Sequence, residues 1–258
     1  VVRGIDAQGA AVVASAVEAT AGFPSWNWRN PTPVGSSLED LVRVGDKWWV
    51  AGRSGAFLTV DTKGVITPVE LPSTQHFSDI TYANGRFVVV GAYRDAAAKI
   101  DIGPLWTSVD GYAWTPLLTT PLDNFYPTFV RHGGGKWLVG TTGGLLLTSD
   151  KGLDWTRKNS GTTRVLRNVS YGNNLWVVVG SGGLILTSPD AVTWTQRTSG
   201  VTTDFVHVGH HAGVFVAIGL DGLIIRSTDG VAWTRQDSGT SEHLIGITSW
   251  NDAFVVTG

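Results

Sequence analysis

Short apolar runs alternate with tight polar turns along almost the whole chain, and the alternation itself repeats. The clearest copy spans 165–198, VLRNVSYGNNLWVVVGSGGLILTSPDAVTWTQRT. Its apolar runs fall at 166–171, 175–180, 184–188 and 193–197, and glycine, asparagine, serine and aspartate fill the gaps. Runs this short, bounded by such residues, predict four antiparallel strands joined by hairpins and no helix.

The first-and-second-strand pair recurs six times, at 38–51, 77–91, 127–140, 166–180, 205–219 and 244–258. A third-and-fourth pair follows each of the first five. Repeated four-stranded units of about 40 residues are the mark of a propeller blade. No outer half follows Gly258, but 4–15 (GIDAQGAAVVAS) resembles 219–227 (GLDGLIIRS), and Trp28 stands in the fourth-strand place. The expected fold is all-β: a six-bladed β-propeller of four-stranded antiparallel blades, closed by the N- and C-terminal strands. Seven blades is the competing count, because 1–15 also reads as an inner pair. One propeller domain is expected over 1–258, with blades at about 38–70, 77–118, 125–160, 165–199, 205–238, and 243–258 completed by 1–33. The segment 93–103 (YRDAAAKIDIG) is an insertion between the second and third strands of its blade.

Four outer hairpins share one phrase: LWTSVDGYAWT, LLTSDKGLDWT, ILTSPDAVTWT and IIRSTDGVAWT. Their tryptophans, Trp114, Trp155, Trp194 and Trp233, are 41, 39 and 39 residues apart. The phrase resembles the Asp-box of BNR-type repeats, S-x-D-x-G-x-x-W. Thr148, Asp150, Gly152 and Trp155 keep its full spacing; Asp110, Asp190 and Asp229 stand one residue closer to their tryptophans. An aspartate here can accept N–H bonds within its own turn, glycine permits the turn, and tryptophan packs between blades. The eight residues are therefore expected to be structural. The wider pattern resembles bacterial Asp-box propellers of the photosystem-assembly-factor-like kind. That resemblance implies binding or scaffolding, with a protein or glycan as partner, and no cofactor.

The same box occurs in sialidases. Such an enzyme needs an arginine cluster and a tyrosine–glutamate pair, and none of the four glutamates (Glu18, Glu39, Glu70, Glu242) can be matched to a tyrosine. No nucleophile elbow, P-loop or HExxH motif occurs. Net charge is −2 with no basic run, which argues against nucleic acid. No apolar run reaches membrane-spanning length. Cysteine is absent, so disulfides and thiolate sites are excluded. A cysteine-free chain that does not start with methionine is compatible with an exported, extracytoplasmic or secreted piece.

Aligning the innermost strands gives one row, Asp40, Asp79, Phe129, Asn168, His207 and Gly246, and a second, Val42, Thr81, Arg131, Ser170, Gly209 and Thr248. Period-two alternation aims both rows at the channel. The row between them, Leu41, Ile80, Val130, Val169, Val208 and Ile247, is apolar and should be buried between blades. Asp40, Asp79, Arg131, Asn168 and His207 are thus candidate ligand-binding residues on the axis. Two aspartates and a histidine can hold a cation, and Arg131 can read a carboxylate. The loops entering each first strand form a second surface, with Tyr126, Arg164, Asp204 and His243 as candidates. Exposed aromatics would favour a binding patch, with Trp26, Trp28, Trp48 and Trp49 to be checked. The leading function is a non-catalytic propeller recognising a protein or glycan through its loop rim or channel mouth. The alternative is a carbohydrate-active hydrolase or lyase using Asp40 and Asp79.

Overall fold

The computed structural model describes residues 3–5, 11–12, 37–70, 76–95, 100–102, 105–118, 125–251 and 253–258. Trp26 and Trp28 lie outside the described residues. The hairpin grammar is realised at the tightest turns. Asn84 with Gly85, Gly134 with Gly135, and Asn173 with Asn174 all take positive φ, which matches the right-handed twist of the strands they join.

Six antiparallel sheets result. The first holds Leu38–Val44, Lys47–Gly52, Phe57–Asp61 and Ile66–Pro68. The second holds His76–Ala83, Arg86–Asp95, Leu105–Ser108 and Thr115–Leu118. The third holds Pro127–Gly133, Lys136–Thr141, Leu145–Ser149 and Thr156–Asn159. The fourth holds Leu166–Gly172, Leu175–Gly180, Ile185–Ser188 and Thr195–Arg197. The fifth holds Phe205–His211, Val214–Gly219, Ile224–Ser227 and Thr234–Gln236. The sixth joins both ends of the chain: Gly246–Trp250, Ala253–Thr257, Arg3–Ile5 and Ala11–Val12.

Each first strand packs beside the next along the chain, from 38–44 through to 246–250. Between successive sheets lies an apolar core. Trp49, Phe57, Phe77 and Phe87 fill the first, and Val90, Val130 and Trp137 the second. Leu138, Val169 and Trp176 fill the third, Val177, Val208 and Phe215 the fourth, and Val216, Leu244 and Phe254 the fifth. Trp114, Trp155, Trp194 and Trp233 each pack against one of these cores.

The expected ring needs correction. Every sheet is open and none closes on itself; one of the six has a fifth strand, Ile100–Ile102, which pairs with the far end of Arg86–Asp95. Within the insertion at 93–103, the described residues 93–95 and 100–102 thus pair antiparallel and widen the second sheet. A closed ring of six sheets needs six cores, and among the described residues the sixth and first sheets share none comparable to the other five. Leu41, expected in the buried row, is 52% exposed where its equivalent Ile80 is 1% exposed. Trp250, on the innermost strand of the sixth sheet, is 63% exposed. The terminal strands do share a sheet, but that pairing completes one sheet and does not close the array. The described residues form a propeller-like array of six open sheets; the closed six-bladed ring and its seven-bladed rival are set aside.

The register of the N-terminus also differs from expectation. Arg3–Ile5 takes the third-strand place, with Arg3 opposite Val256, and Ala11–Val12 takes the fourth. Aligning GIDAQG with GLDG put the strand after the turn, whereas backbone pairing uses the residues before it.

Candidate functional site

The first strands of five sheets carry a β-bulge at the same place. Pairing skips one residue between Leu38 and Asp40, Phe77 and Asp79, Pro127 and Phe129, Leu166 and Asn168, and Phe205 and His207. A bulge inserts one unpaired residue and re-aims its side chain. The skipped residues are Glu39, Ser78, Thr128, Arg167 and Val206, and all five line one cleft of about 500 Å³. Arg53, His76, Thr142, Val165 and His207 complete much of its wall. The Oγ of Ser78 donates to the Pro127 carbonyl and that of Thr128 to the Leu166 carbonyl, each reaching the next sheet. Arg167 likewise bridges to Asp204 of the next sheet at 3.2 Å. Glu39 pairs within its own sheet with Arg53 at 2.6 Å.

Period-two reasoning missed this row because a bulge breaks the alternation it relies on. The five-fold recurrence of the same offset in the repeat is the only signal the sequence carries.

Just past the bulges lies the axial row. Asp40 Oδ2 accepts the Ile80 N–H at 3.1 Å, Asp79 Oδ2 the Val130 N–H at 2.8 Å, and Asn168 Oδ1 the Val208 N–H at 3.2 Å. Each side chain therefore satisfies a backbone donor on the neighbouring sheet, a donor that would otherwise be left without a partner. Phe129 takes the same place in the third sheet and is fully buried. Arg131 Nη1 donates to Asp79 Oδ1 at 3.0 Å and to Thr81 Oγ1 at 3.2 Å, and stands 3.8 Å from Asp40 Oδ2.

Burial raises the Asp79 carboxyl well above the ordinary carboxylate range; the Arg131 charge opposes this and Asp40 reinforces it. The Asp79 charge, and then Asp40, hold Arg131 firmly cationic against its own desolvation. Burial, then the Arg131 charge, push His207 below the usual histidine range, with Asp40 opposing. The structure thus brings Asp40, Asp79, Arg131 and His207 into one electrostatic group, and gives Asn168 a separate stitch. Among the described residues no set of three histidine, aspartate or glutamate side chains is arranged to hold a metal ion.

The rim candidates hold turns. Asp204 Oδ1 accepts the Gly182 N–H at 2.8 Å, and His243 Nδ1 accepts the Asp221 N–H at 3.2 Å. Arg164 Nη1 donates to the Gly182 carbonyl at 3.2 Å. The Tyr126 backbone exchanges bonds with Thr142.

In the outer hairpins, Asp110, Asp190 and Asp229 each accept two backbone N–H bonds from residues two and three ahead. The pKa of Asp190 falls to about 2 because these N–H groups stabilise its charge. Trp114 and Trp233 donate to the Gly111 and Gly230 carbonyls. Asp150, with the longer spacing, pairs instead with Lys136 at 2.8 Å. Trp49 is buried, while Trp48 lies half out on the other face of its strand, with Arg43 above its ring.

No protein-family model matches the chain, and no curated protein matches it in sequence. Solved structures match its fold. YCF48 from Cyanidioschyzon merolae is 16% identical, covers 88% of this chain and 94% of its own, and has a TM-score of 0.55. A structure of YCF48 bound to D1 peptide is 14% identical, with 87% and 90% covered and a TM-score of 0.57. The Niastella koreensis GH74 enzyme is 17% identical over 77% of this chain but only 30% of its own, with a TM-score of 0.54. These likenesses define the class: the chain has the propeller-like fold they share. A binder and an enzyme both lie among them, so function must be argued from the site.

Proposed function

We propose that this chain is a non-catalytic binding protein, and that the cleft lined by its bulge residues receives a peptide segment of a protein partner. The observation that carries this is the convergence of five bulge residues, from five sheets, on one cleft of about 500 Å³. Hydroxyls from Ser78, Thr128 and Thr142 can meet peptide groups, Val165 and Val206 offer apolar contact, and Arg53, Arg167 and Glu39 supply charge on both signs. The likeness to YCF48, solved with a bound peptide, supports the same reading. Among the described lining residues Phe77 is the one phenylalanine, tyrosine or tryptophan and it is buried, so a glycan stacked on such a ring is disfavoured there. An extracytoplasmic setting belongs to the same proposal and is compatible with the absence of cysteine.

The hydrolase alternative fits poorly. Asp40 and Asp79 share the Arg131 guanidinium, whose Nη1 stands 3.8 Å from Asp40 Oδ2 and 3.0 Å from Asp79 Oδ1. Both carboxylates are also committed to backbone N–H groups of the next sheet.

The test is selection from a random-peptide display library against the whole chain, followed by calorimetry on the enriched sequences. Val206→Asp should abolish their binding, and Arg167→Ala should weaken it. Enriched peptides that bind both variants as they bind the parent chain would reject this cleft as the site.

A further inference from the structure

Three loops entering first strands share the frame Ser-Gly-x-x, at 160–163, 199–202 and 238–241, and two of them satisfy their own amides. Asn159 Oδ1 accepts the Gly161 N–H and Asp237 Oδ1 accepts the Gly239 N–H, both at 2.8 Å. Thr162 Oγ1 accepts the Arg164 N–H and Thr240 Oγ1 accepts the Glu242 N–H, both at 3.1 Å. In the middle loop both acceptors have changed. Thr198 stands in the asparagine place and Val201 in the threonine place. Among the described residues no acceptor meets the N–H of Gly200 or of Thr203.

That loop forms one wall of a polar cleft of about 680 Å³, whose lining includes Arg164, Arg197 and Arg235 and no carboxylate. Arg197 is held by its Nε bond to Thr187 Oγ1 at 2.8 Å, and the Arg235 guanidinium meets no acceptor among the described residues. Two open amides and three cations without an acid call for an acceptor from outside. A tetrahedral ester group presents three oxygens to such donors, where a carboxylate presents two. The rest of the lining is hydroxyl and amide, from Thr198, Thr202 and Gln196, with Val201 the only sizeable apolar side chain. That lining suits sugar hydroxyls better than peptide side chains.

We infer that this cleft, on the outer side of the fourth and fifth sheets and apart from the cleft of the bulge residues, is a receptor for a sugar carrying a phosphate or sulfate ester. The ester oxygens take the Gly200 and Thr203 amides and the arginines; the sugar lies along the threonine hydroxyls.

The test follows amide resonances of the isotopically labelled chain at constant ionic strength, titrated with glucose 6-phosphate, glucosamine 6-sulfate, phosphoserine and inorganic phosphate. Gly200 and Thr203 should shift, and a sugar ester should bind roughly tenfold tighter than inorganic phosphate, about the effect of one added hydrogen bond. Thr198→Asn rebuilds the acceptor seen at Asn159 and leaves every arginine in place; it should weaken binding roughly tenfold, and Val201→Thr should act likewise. Arg235→Gln should weaken it as well. Equal binding by Thr198→Asn and the parent chain would reduce the effect to charge attraction and overturn the inference. Phosphoserine binding as tightly as the sugar esters would overturn the sugar assignment.

Discussion

Arg131 Nη1 meets Asp79 Oδ1 at 3.0 Å across the boundary between the third and second sheets. The carboxylate is almost wholly buried, while the guanidinium keeps a third of its surface in water. The pair therefore joins two sheets at their innermost strands. Removing the cation leaves a buried acid with one backbone donor. Arg131→Met should cost about 1–3 kcal/mol, the usual penalty for leaving a buried polar group without its partner. The urea midpoint should fall with the slope unchanged. A second change, Asp79→Asn, should recover part of the loss, and a double-mutant cycle measures the coupling.

The pH dependence of stability should have two limbs of opposite origin. Asp79 is raised in the native state, so the folded chain keeps a proton that the unfolded chain has released. Its contribution is complete below the unfolded carboxylate value of about 3.9 and fades as pH rises through the raised native value. Asp79→Asn should flatten that decline in urea midpoints measured across the pH range.

Asp190 has the reverse sign. Its native value of about 2 means a contribution present above the unfolded value and lost as pH falls through about 2. Asp110 and Asp229 are lowered by the same turn amides and act in the same direction. Asp190→Asn should flatten the acid limb of the curve and leave the neutral limb unchanged. An acid limb as steep as the parent's would reject the assignment.

Gly111 is the tightest of the outer-hairpin glycines. Its φ is +80°, and a Cβ there would lie 2.3 Å from the Trp49 ring. Gly111→Ala combines backbone strain of about 1 kcal/mol with overpacking of about 1–3 kcal/mol. Thermal unfolding should show a clear drop, whereas Gly64→Ala, with the same sign of φ and open space around it, should show only the smaller backbone part.

On the rim, Arg167→Ala removes a partly exposed ion pair and should change stability by no more than about 0.5 kcal/mol. Asp204→Ala also removes the acceptor of the Gly182 N–H and should cost about 1 kcal/mol. Chemical denaturation of the two single variants separates these effects.

The strands were legible because each is short and ends at a turn residue whose positive φ the structure uses, as at Asn84 and Asn173. The approach of Asp40, Asp79, Arg131 and His207 was legible too, since it follows from aligning repeats. Their commitments were not. Asp79 and Asn168 look like ligand residues in sequence, and the structure gives them backbone donors on a neighbouring sheet. The bulge row escaped because pairing, not side-chain character, decides which residue is skipped. Leu41 escaped for a related reason: its type matches Ile80 and Val130, and only the neighbouring sheet determines whether it is covered.

Six sheets with five cores between them give the described molecule two ends. In such a linear series each unit leans on nearest neighbours, and a terminal unit has one where an inner unit has two. Fraying should then begin at the first and sixth sheets and travel inward. Amide hydrogens of Leu41 and Thr248 would exchange well before those of Val178, and the third and fourth sheets would be the last to let go.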